Sequence, residues 1–189
     1  MPPDDDGELM SRLCAGEDRA LDALMDRWQA RLRGFLQRYL HNETDAGDVA
    51  EETFVRVYLH REKFRAGAKF STWLFAIALN LSRDHARRGR ARPVVMLDAD
   101  ALAAASDRAS DSPGAVPDTD LVRAETIREV RSAVEALPDQ LRSAVLLCEY
   151  ENLTHAEAAA VIGCSSKAVE TRLYRARQTL HTVLKRHLR

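Results

Sequence analysis

Hydrophobic positions in the first 92 residues recur every three or four residues, which is typical of helices that bury one face. In residues 18–40 one such face holds Leu21, Leu24, Met25, Trp28, Leu32, Phe35, Leu36 and Tyr39. Gly16 separates this run from a short preceding helix that contains Leu9 and Leu13. The pattern predicts two helices with Gly16 between them.

Two further helices are predicted before residue 92. We expect Asp45 to cap the first, because a side-chain oxygen at that position can accept an orphan backbone N–H. Its buried face is predicted to hold Val49, Thr53 or Phe54, Val57 and Tyr58. Gly67 marks a loop, and Ser71 or Thr72 is expected to cap the next helix.

Residues 93–120 lack a sustained period and carry three prolines and six aspartates. Such a segment cannot bury enough apolar area to offset its ordering entropy, so we expect a flexible acidic linker. The apolar run from Pro93 to Met96 would form a lone strand without a partner. Helical spacing resumes at Leu121. The predicted fold is all-α, with small helical domains at 1–92 and 121–189 joined by the linker 93–120.

The C-terminal segment carries a helix-turn-helix pattern. Thr154 and Glu157 form a T-x-x-E capping box, and Gly163 suits the left-handed end of a short helix. Ser165 is expected to cap a second helix after a three-residue turn. The buried stripe of that second helix is predicted to hold Val169, Leu173, Ala176 and Leu180.

The other face of this second helix is basic. A helix in the major groove places its side chains against base edges and phosphates, which guanidinium groups contact well. The alternative is an Arg-rich face that water solvates. We favour DNA binding through Ser166, Lys167, Ala168, Thr171, Arg172, Tyr174, Arg175 and Arg177.

The helix after Gly67 predicts a second nucleic-acid surface. Leu74, Ile77, Ala78 and Leu81 would face the core, and Asn80, Asp84, Arg87 and Arg88 share another stripe. Aromatic residues among cations suit unstacked single-stranded bases. Here Phe70, Trp73 and Phe75 lie near Lys63, Arg65 and Lys69. For Trp73 and Phe75, each taken alone, a core position is the alternative that we favour.

Charge is segregated although the 189-residue chain has a formal net charge of -1. Residues 61–92 and 164–189 carry +7 and +6, whereas residues 1–60 and 93–163 carry -6 and -8. Because the local field steers phosphate binding, two basic blocks indicate two contacts on one polyanion.

Other functions and locations are disfavoured by composition and motifs. The acidic start MPPDDDGEL is unlike a signal peptide, and no apolar run is long enough to span a membrane, so we expect a cytoplasmic protein. Cys14, Cys148 and Cys164 show no paired spacing and are expected to be buried free thiols. No P-loop, HExxH, GxSxG or GxGxxG occurs, and the six histidines lack ligand spacing. We expect no catalytic residue, metal or cofactor.

Three segments together resemble bacterial sigma factors of the sigma-70 family, in the minimal extracytoplasmic-function (ECF) group. They are DAGDVAEETFVRVY, FSTWLFAIALNLSRDHARR and ALPDQLRSAVLLCEYENLTHAEAAAVIGCSSKAVETRLYRARQTL. The resemblance implies regions 2 and 4 of such a factor. It also implies three partners. They are core RNA polymerase, contacted at its β′ clamp helices and its β subunit, promoter DNA, and an anti-sigma factor.

The resemblance also implies residue roles. Polymerase contacts would lie at Asp45, Asp48, Glu51, Glu52, Phe54 and Val55. Contacts to the melted -10 element would lie at Lys63, Arg65, Lys69, Trp73, Asn80, Asp84, Arg87 and Arg88. The second helix of the helix-turn-helix would read the -35 element. Glu170 departs from the family pattern, because a cation is common there. The alternative function is a two-domain regulator that binds operators without polymerase.

Overall fold

The computed structural model describes residues 5–91 and 118–187, with side chains for residues 6–88 and 124–185. In these ranges the chain forms eight α-helices and no strand, which confirms the all-α prediction. The helices are α1 (Asp5–Cys14), α2 (Arg19–Leu40), α3 (Glu43–Leu59), α4 (Phe70–Ala91), α5 (Asp118–Glu135), α6 (Asp139–Val145), α7 (His155–Ile162) and α8 (Ser166–His187).

The predicted linker falls almost wholly outside the described residues. Its last three residues, 118–120, already belong to α5, so this helix begins earlier than the predicted position at Leu121. The alternative strand from Pro93 to Met96 also lies outside the described residues.

The N-terminal half, α1 to α4, packs around α2. Both α3 and α4 contact α2 and each other, and α1 packs on α2. The Trp28 ring meets the rings of Phe70 and Phe75 edge-on, at centroid distances of 6.0 and 6.3 Å. Phe35 lies two turns after Trp28 on α2, and its ring centroid is 5.1 Å from that of Phe75. These buried rings fix how α4 lies against α2.

Two helix starts differ from the predictions. Asn42, and not Asp45, caps α3: its extended backbone lets the side-chain oxygen accept the Asp45 N–H at 3.1 Å. Asp45 therefore lies in the first turn, where its negative charge interacts favourably with the positive end of the helix dipole. The next helix begins at Phe70, so Ser71 and Thr72 lie inside α4 and do not precede it.

In the C-terminal half, α5, α6 and α7 all contact α8. A π turn at Leu146–Tyr150 follows α6, and the Glu151 N–H donates to the Leu146 carbonyl, five residues back, at 3.0 Å. Gly163 ends α7 in the left-handed conformation, with φ 79° and ψ 46°. As predicted, a glycine makes the turn into α8.

The two halves also pack against each other. Helix α4 contacts α7, and one cluster of buried apolar residues includes members from both halves. The Tyr39 hydroxyl of α2 donates to the Asp139 carboxylate at the start of α6. Burial, together with this acidic partner, raises the pKa of Tyr39 to about 12, so the hydroxyl keeps its proton.

The three cysteines are free, but the prediction that all are buried is wrong. Cys14 is exposed at the end of α1, where its thiol donates to the Arg61 carbonyl at 3.2 Å. Cys148 and Cys164 are half-buried, and burial raises the pKa of Cys148 to about 11. A raised pKa disfavours the reactive thiolate.

We predict that Gly163→Ala lowers the free energy of unfolding by about 1–2 kcal/mol, because an L-residue is strained at this positive φ. A Cβ at Gly163 would meet no atom within 4 Å, so backbone strain is the only cost. Urea unfolding of the full chain measures the difference.

The matched control is Gly47→Ala inside α3, where a Cβ would lie 3.9 Å from Arg33, an ordinary contact. It should raise stability by up to about 1 kcal/mol through helix propensity. Equal effects of the two substitutions would contradict the explanation by backbone conformation.

Candidate nucleic-acid interface

The helix-turn-helix is built by local capping interactions. Thr154 accepts the Glu157 N–H at 3.3 Å, and the Glu157 carboxylate accepts the Thr154 N–H at 2.8 Å. After Gly163, the Ser165 hydroxyl accepts the Ala168 N–H at 3.2 Å and starts α8. The predicted capping box, turn and second cap are all confirmed.

Helix α8 separates a buried stripe from an exposed polar face. Val169, Leu173 and Ala176 are buried and Leu180 is half-buried, as the sequence pattern predicts. Of the predicted -35 residues, Ala168 and Arg172 are half-buried. The exposed members of that set are Ser166, Lys167, Thr171, Tyr174, Arg175 and Arg177.

Several of these side chains already have partners within the chain. Lys167 donates to Glu170 at 2.9 Å, which lowers the pKa of this carboxyl and keeps it charged. Arg172 lies 3.4 Å from the Cys164 sulfur, and Arg177 donates to Glu149 at 2.8 Å. To bind Lys167 or Arg177, a DNA phosphate would have to displace the carboxylate of Glu170 or of Glu149, respectively. Tyr174 is 64% exposed, so its ring is available to a ligand.

The predicted -10 residues follow the exposed side of α4 and the loop before it. Lys63, Arg65, Lys69, Asn80, Asp84, Arg87 and Arg88 are all exposed. Arg87 donates to Asp84 at 2.7 Å, so this carboxylate moderates the positive charge of the stripe. The stripe thus carries hydrogen-bonding groups for bases and cations for phosphates.

The aromatic residues near this stripe divide between core and surface. Phe70 and Phe75 are 1% and 0% exposed, so neither can stack on a base. Trp73 is half-buried, with its ring 5.3 Å from that of Phe64. The core alternative therefore holds for Phe75, and Trp73 keeps part of its surface for a ligand.

Helix α3 carries an acidic surface with apolar positions. Asp48, Glu51 and Val55 are exposed, whereas Asp45 and Glu52 are half-buried. Glu52 accepts from Arg56 at 2.7 Å, and Asp45 lies 3.3 Å from His85 of α4.

The structure contradicts the prediction that Phe54 contacts the polymerase from this surface. Its side chain is 3% exposed and belongs to the hydrophobic core, so it cannot contact a partner directly in this conformation. Leu59, which the sequence reasoning missed, is 62% exposed. It lies four residues after Val55 and outside the buried stripe, so helical spacing alone could have identified it.

The structure also brings the two predicted DNA-binding regions together. Lys69, at the start of α4, lies 2.5 Å from the Glu157 carboxylate of α7. A hydrogen bond from Lys69 lowers the pKa of Glu157 and keeps its carboxylate charged. Glu157 thus caps α7 and also pairs with a predicted DNA contact. No spacing in the sequence relates Lys69 to Glu157, so this pair could not be predicted.

Within the described ranges, no three His, Cys, Asp or Glu side chains cluster as they would around a metal ion. The helices of the same ranges include none with the length and apolarity that crossing a bilayer requires.

Two parts of the chain match conserved regions of a known protein family. Residues 24–92 match "Sigma-70 region 2" and residues 127–180 match "Sigma-70, region 4". These matches contain most of the α2–α4 unit, all of α7 and the part of α8 up to Leu180.

Similar proteins extend the match to nearly the full length. The chain is 33% identical over 186 residues to the RNA polymerase sigma-H factor of Pseudomonas aeruginosa, covering 97% of this chain and 96% of that protein. It is 32% identical over 181 residues to the ECF RNA polymerase sigma-E factor of Escherichia coli K12, covering 93% and 92%. Among solved structures, CnrH in complex with the cytosolic domain of CnrY is 29% identical. Its TM-score is 0.69, and the match covers 95% of this chain and 97% of CnrH. This chain belongs to the sigma-70 family of RNA polymerase sigma factors, in its extracytoplasmic-function group.

Proposed function

We propose that the chain binds core RNA polymerase, recognises the -35 and -10 elements of a promoter and starts strand opening. The observation that carries this proposal is the pairing of two exposed polar helix surfaces in one chain, one on α8 and one on α4. A capped helix-turn-helix positions the first, and a buried aromatic core positions the second.

We propose that α8 enters the major groove at the -35 element. Its N-terminal residues Ser166, Lys167, Thr171 and Arg172 would face base edges. Arg175 and Arg177 would reach phosphates or guanines. Glu170 would accept from a cytosine amino group, a contact that a cation at this position cannot make.

We propose that the α4 stripe binds one strand of the -10 element. Asn80 and Asp84 would hydrogen-bond a base turned out of the stack, while Arg87 and Arg88 hold the backbone. Trp73 offers a partly exposed ring for stacking. Base flipping costs a few kcal/mol, which these contacts and the polymerase would offset.

We propose that the acidic surface of α3 docks on the β′ clamp helices, with further contacts to the β subunit. Asp48 and Glu51 would steer a basic partner, and the exposed Val55 and Leu59 would lose apolar surface to it. Because its partners are the polymerase and the chromosome, the protein would act in the cytoplasm, as an initiation factor without catalysis of its own.

We propose that an anti-sigma factor controls the chain. The similar protein CnrH has been solved with the cytosolic domain of CnrY, so a chain of this fold can hold a second protein. The exposed apolar residues Val55, Leu59 and Ile127 give such a partner places to bind.

Run-off transcription with core polymerase over a promoter library tests the whole proposal. We expect start-site selectivity only when the chain is present. Failure to bind polymerase, combined with specific duplex binding by the chain alone, would instead favour a regulator that binds operators.

We predict that Arg175→Ala weakens binding to a selected -35 duplex by about 1–3 kcal/mol if the guanidinium makes a bidentate base contact. Fluorescence anisotropy of the holoenzyme at fixed salt measures this loss. Arg128→Ala is the matched control, because Arg128 is an exposed arginine that belongs to α5 and not to α8. Equal affinities of the two variants would refute the placement of α8.

We predict that Asn80→Ala leaves duplex binding unchanged and slows promoter opening by about 5–150-fold. The variant loses hydrogen bonds worth roughly 1–3 kcal/mol that form only with the unpaired base. Permanganate footprinting of holoenzyme complexes reports the opening. Gln140→Ala, an exposed amide in α6, is the control and should melt DNA normally. Normal melting by Asn80→Ala would remove this residue from the site.

We predict that Glu51→Lys lowers the association rate with core polymerase, because charge reversal at an exposed interface position acts mainly on electrostatic steering. Surface plasmon resonance at low and high salt measures the rate, and the defect should shrink as salt increases. Asp26→Lys, a charge reversal at an exposed position of α2, serves as the control. A loss common to both variants would point to net charge and not to the α3 surface.

A further inference from the structure

A cavity of about 480 Å³ lies between α2, α5 and the π turn. Its apolar wall comes from Ile127, Val130 and Val134 of α5 together with the ring of Tyr150. Ile127 is 60% exposed and Tyr150 is 37% exposed, so part of this wall is in contact with water. Small-molecule sites have volumes of about 300–1,000 Å³ and mostly apolar linings with a few polar groups. The cavity therefore has the size and the lining of a small-ligand site.

Arg38 of α2 contributes a positive charge to the lining of this cavity. Its side chain is half-buried, and the guanidinium carbon lies 4.9 Å from the centroid of the Tyr150 ring. Among the side chains that the structure describes, no carboxylate lies within 4 Å of this guanidinium. Arg131, which also lines the cavity, instead donates to Glu135 at 2.9 Å. The lining thus keeps one positive charge that no acidic side chain compensates.

Two local features of the backbone hold the Arg38 guanidinium in the cavity. A Cβ at Gly34 would come 3.2 Å from Arg38 Nη1, so the absence of a side chain there lets the guanidinium lie against α2. On the other side, the π turn ends at Tyr150, on whose ring the guanidinium stacks. The next residue, Glu151, accepts from Arg31 of α2 at 2.6 Å and so fixes this turn on α2. Such π turns are frequent at functional sites.

The charge and the apolar wall together select the ligand. A half-buried guanidinium gains from pairing with an anion, because burying an unpaired charge costs free energy. Its planar fork matches a carboxylate, which can accept two parallel hydrogen bonds. A hydrocarbon chain would cover the apolar wall, whereas a DNA phosphate would leave this wall in water and a cation would be repelled. The cavity therefore favours a monoanion with an apolar body.

We infer that this cavity binds a medium-chain aliphatic carboxylate, with the carboxylate on Arg38 and the chain along Ile127, Val130 and Val134. The inference goes beyond the proposed function, since the residues that line the cavity differ from those of the proposed polymerase, -35 and -10 surfaces. The bound carboxylate should also raise the thermal unfolding temperature of the chain, because it binds only the folded state.

Titration of the full chain with decanoate, kept below its micellar concentration and followed by amide NMR spectra, tests the site without polymerase or DNA. We expect saturable binding at one site, with the largest shifts at Gly34, Ile127 and Tyr150. Octanoate should bind about tenfold more weakly, because each methylene that leaves water is worth about three- to fourfold in affinity. Binding that does not saturate, or shifts concentrated away from the cavity, would overturn the inference.

Arg38→Met removes the positive charge and keeps an unbranched apolar side chain. It should weaken decanoate binding by about tenfold or more and leave the binding of neutral 1-decanol unchanged. Arg19→Met, at an exposed position of α2 outside the cavity, is the matched control and should bind decanoate as wild type does. Equal decanoate affinities of the two variants would refute the anion site. So would wild-type chain that binds 1-decanol as tightly as decanoate.

Ile127→Asp provides a second test at an exposed position, where the substitution should leave the fold intact. A negative charge in the apolar wall should abolish decanoate binding, and Ala124→Asp, also exposed on α5, is its control. Thermal melts check that each variant is folded. Sedimentation velocity should show a monomer at the NMR concentration. Self-association that Ile127→Asp abolishes would identify a second copy of the chain as the occupant and overturn the inference.

Discussion

The edge-on contacts of Trp28 with Phe70 and Phe75 position α4, and the surfaces on which function depends follow from that position. Because these rings bury one side of α4, its opposite side must face outward with Asn80, Asp84 and the arginines. The start of the same helix meets α7. One aromatic cluster thus determines both the DNA-facing stripe and the contact between the halves.

Local patterns were sufficient to predict the helix-turn-helix. Its capping box joins residues three apart, and Gly163 and Ser165 act within one turn, so sequence spacing contains nearly all the information. The buried stripe of α8 was equally predictable, because burial follows the 3.6-residue period. Helix starts were harder, since Asn42 and Asp45 are both good caps and only the extended backbone at Asn42 selects between them.

Contacts between the halves could not be predicted from the sequence. Arg31 and Glu151 are 120 residues apart, and Tyr39 and Asp139 are 100 apart, so no periodicity relates them. Phe54 illustrates a different limit, because family resemblance placed it at an interface while helical spacing placed it in the core. The structure agrees with the spacing. The roles of individual residues toward DNA and polymerase remain predictions.

Because of the π turn at Leu146–Tyr150, the number of residues in this segment determines how the following residues are oriented. Deleting one residue there would restore an ordinary helical repeat and rotate whatever follows by about 100° around the axis. Glu151 would then point away from Arg31, even with every side chain of the pair intact. Related chains should therefore tolerate substitutions in this turn far better than a change in its number of residues.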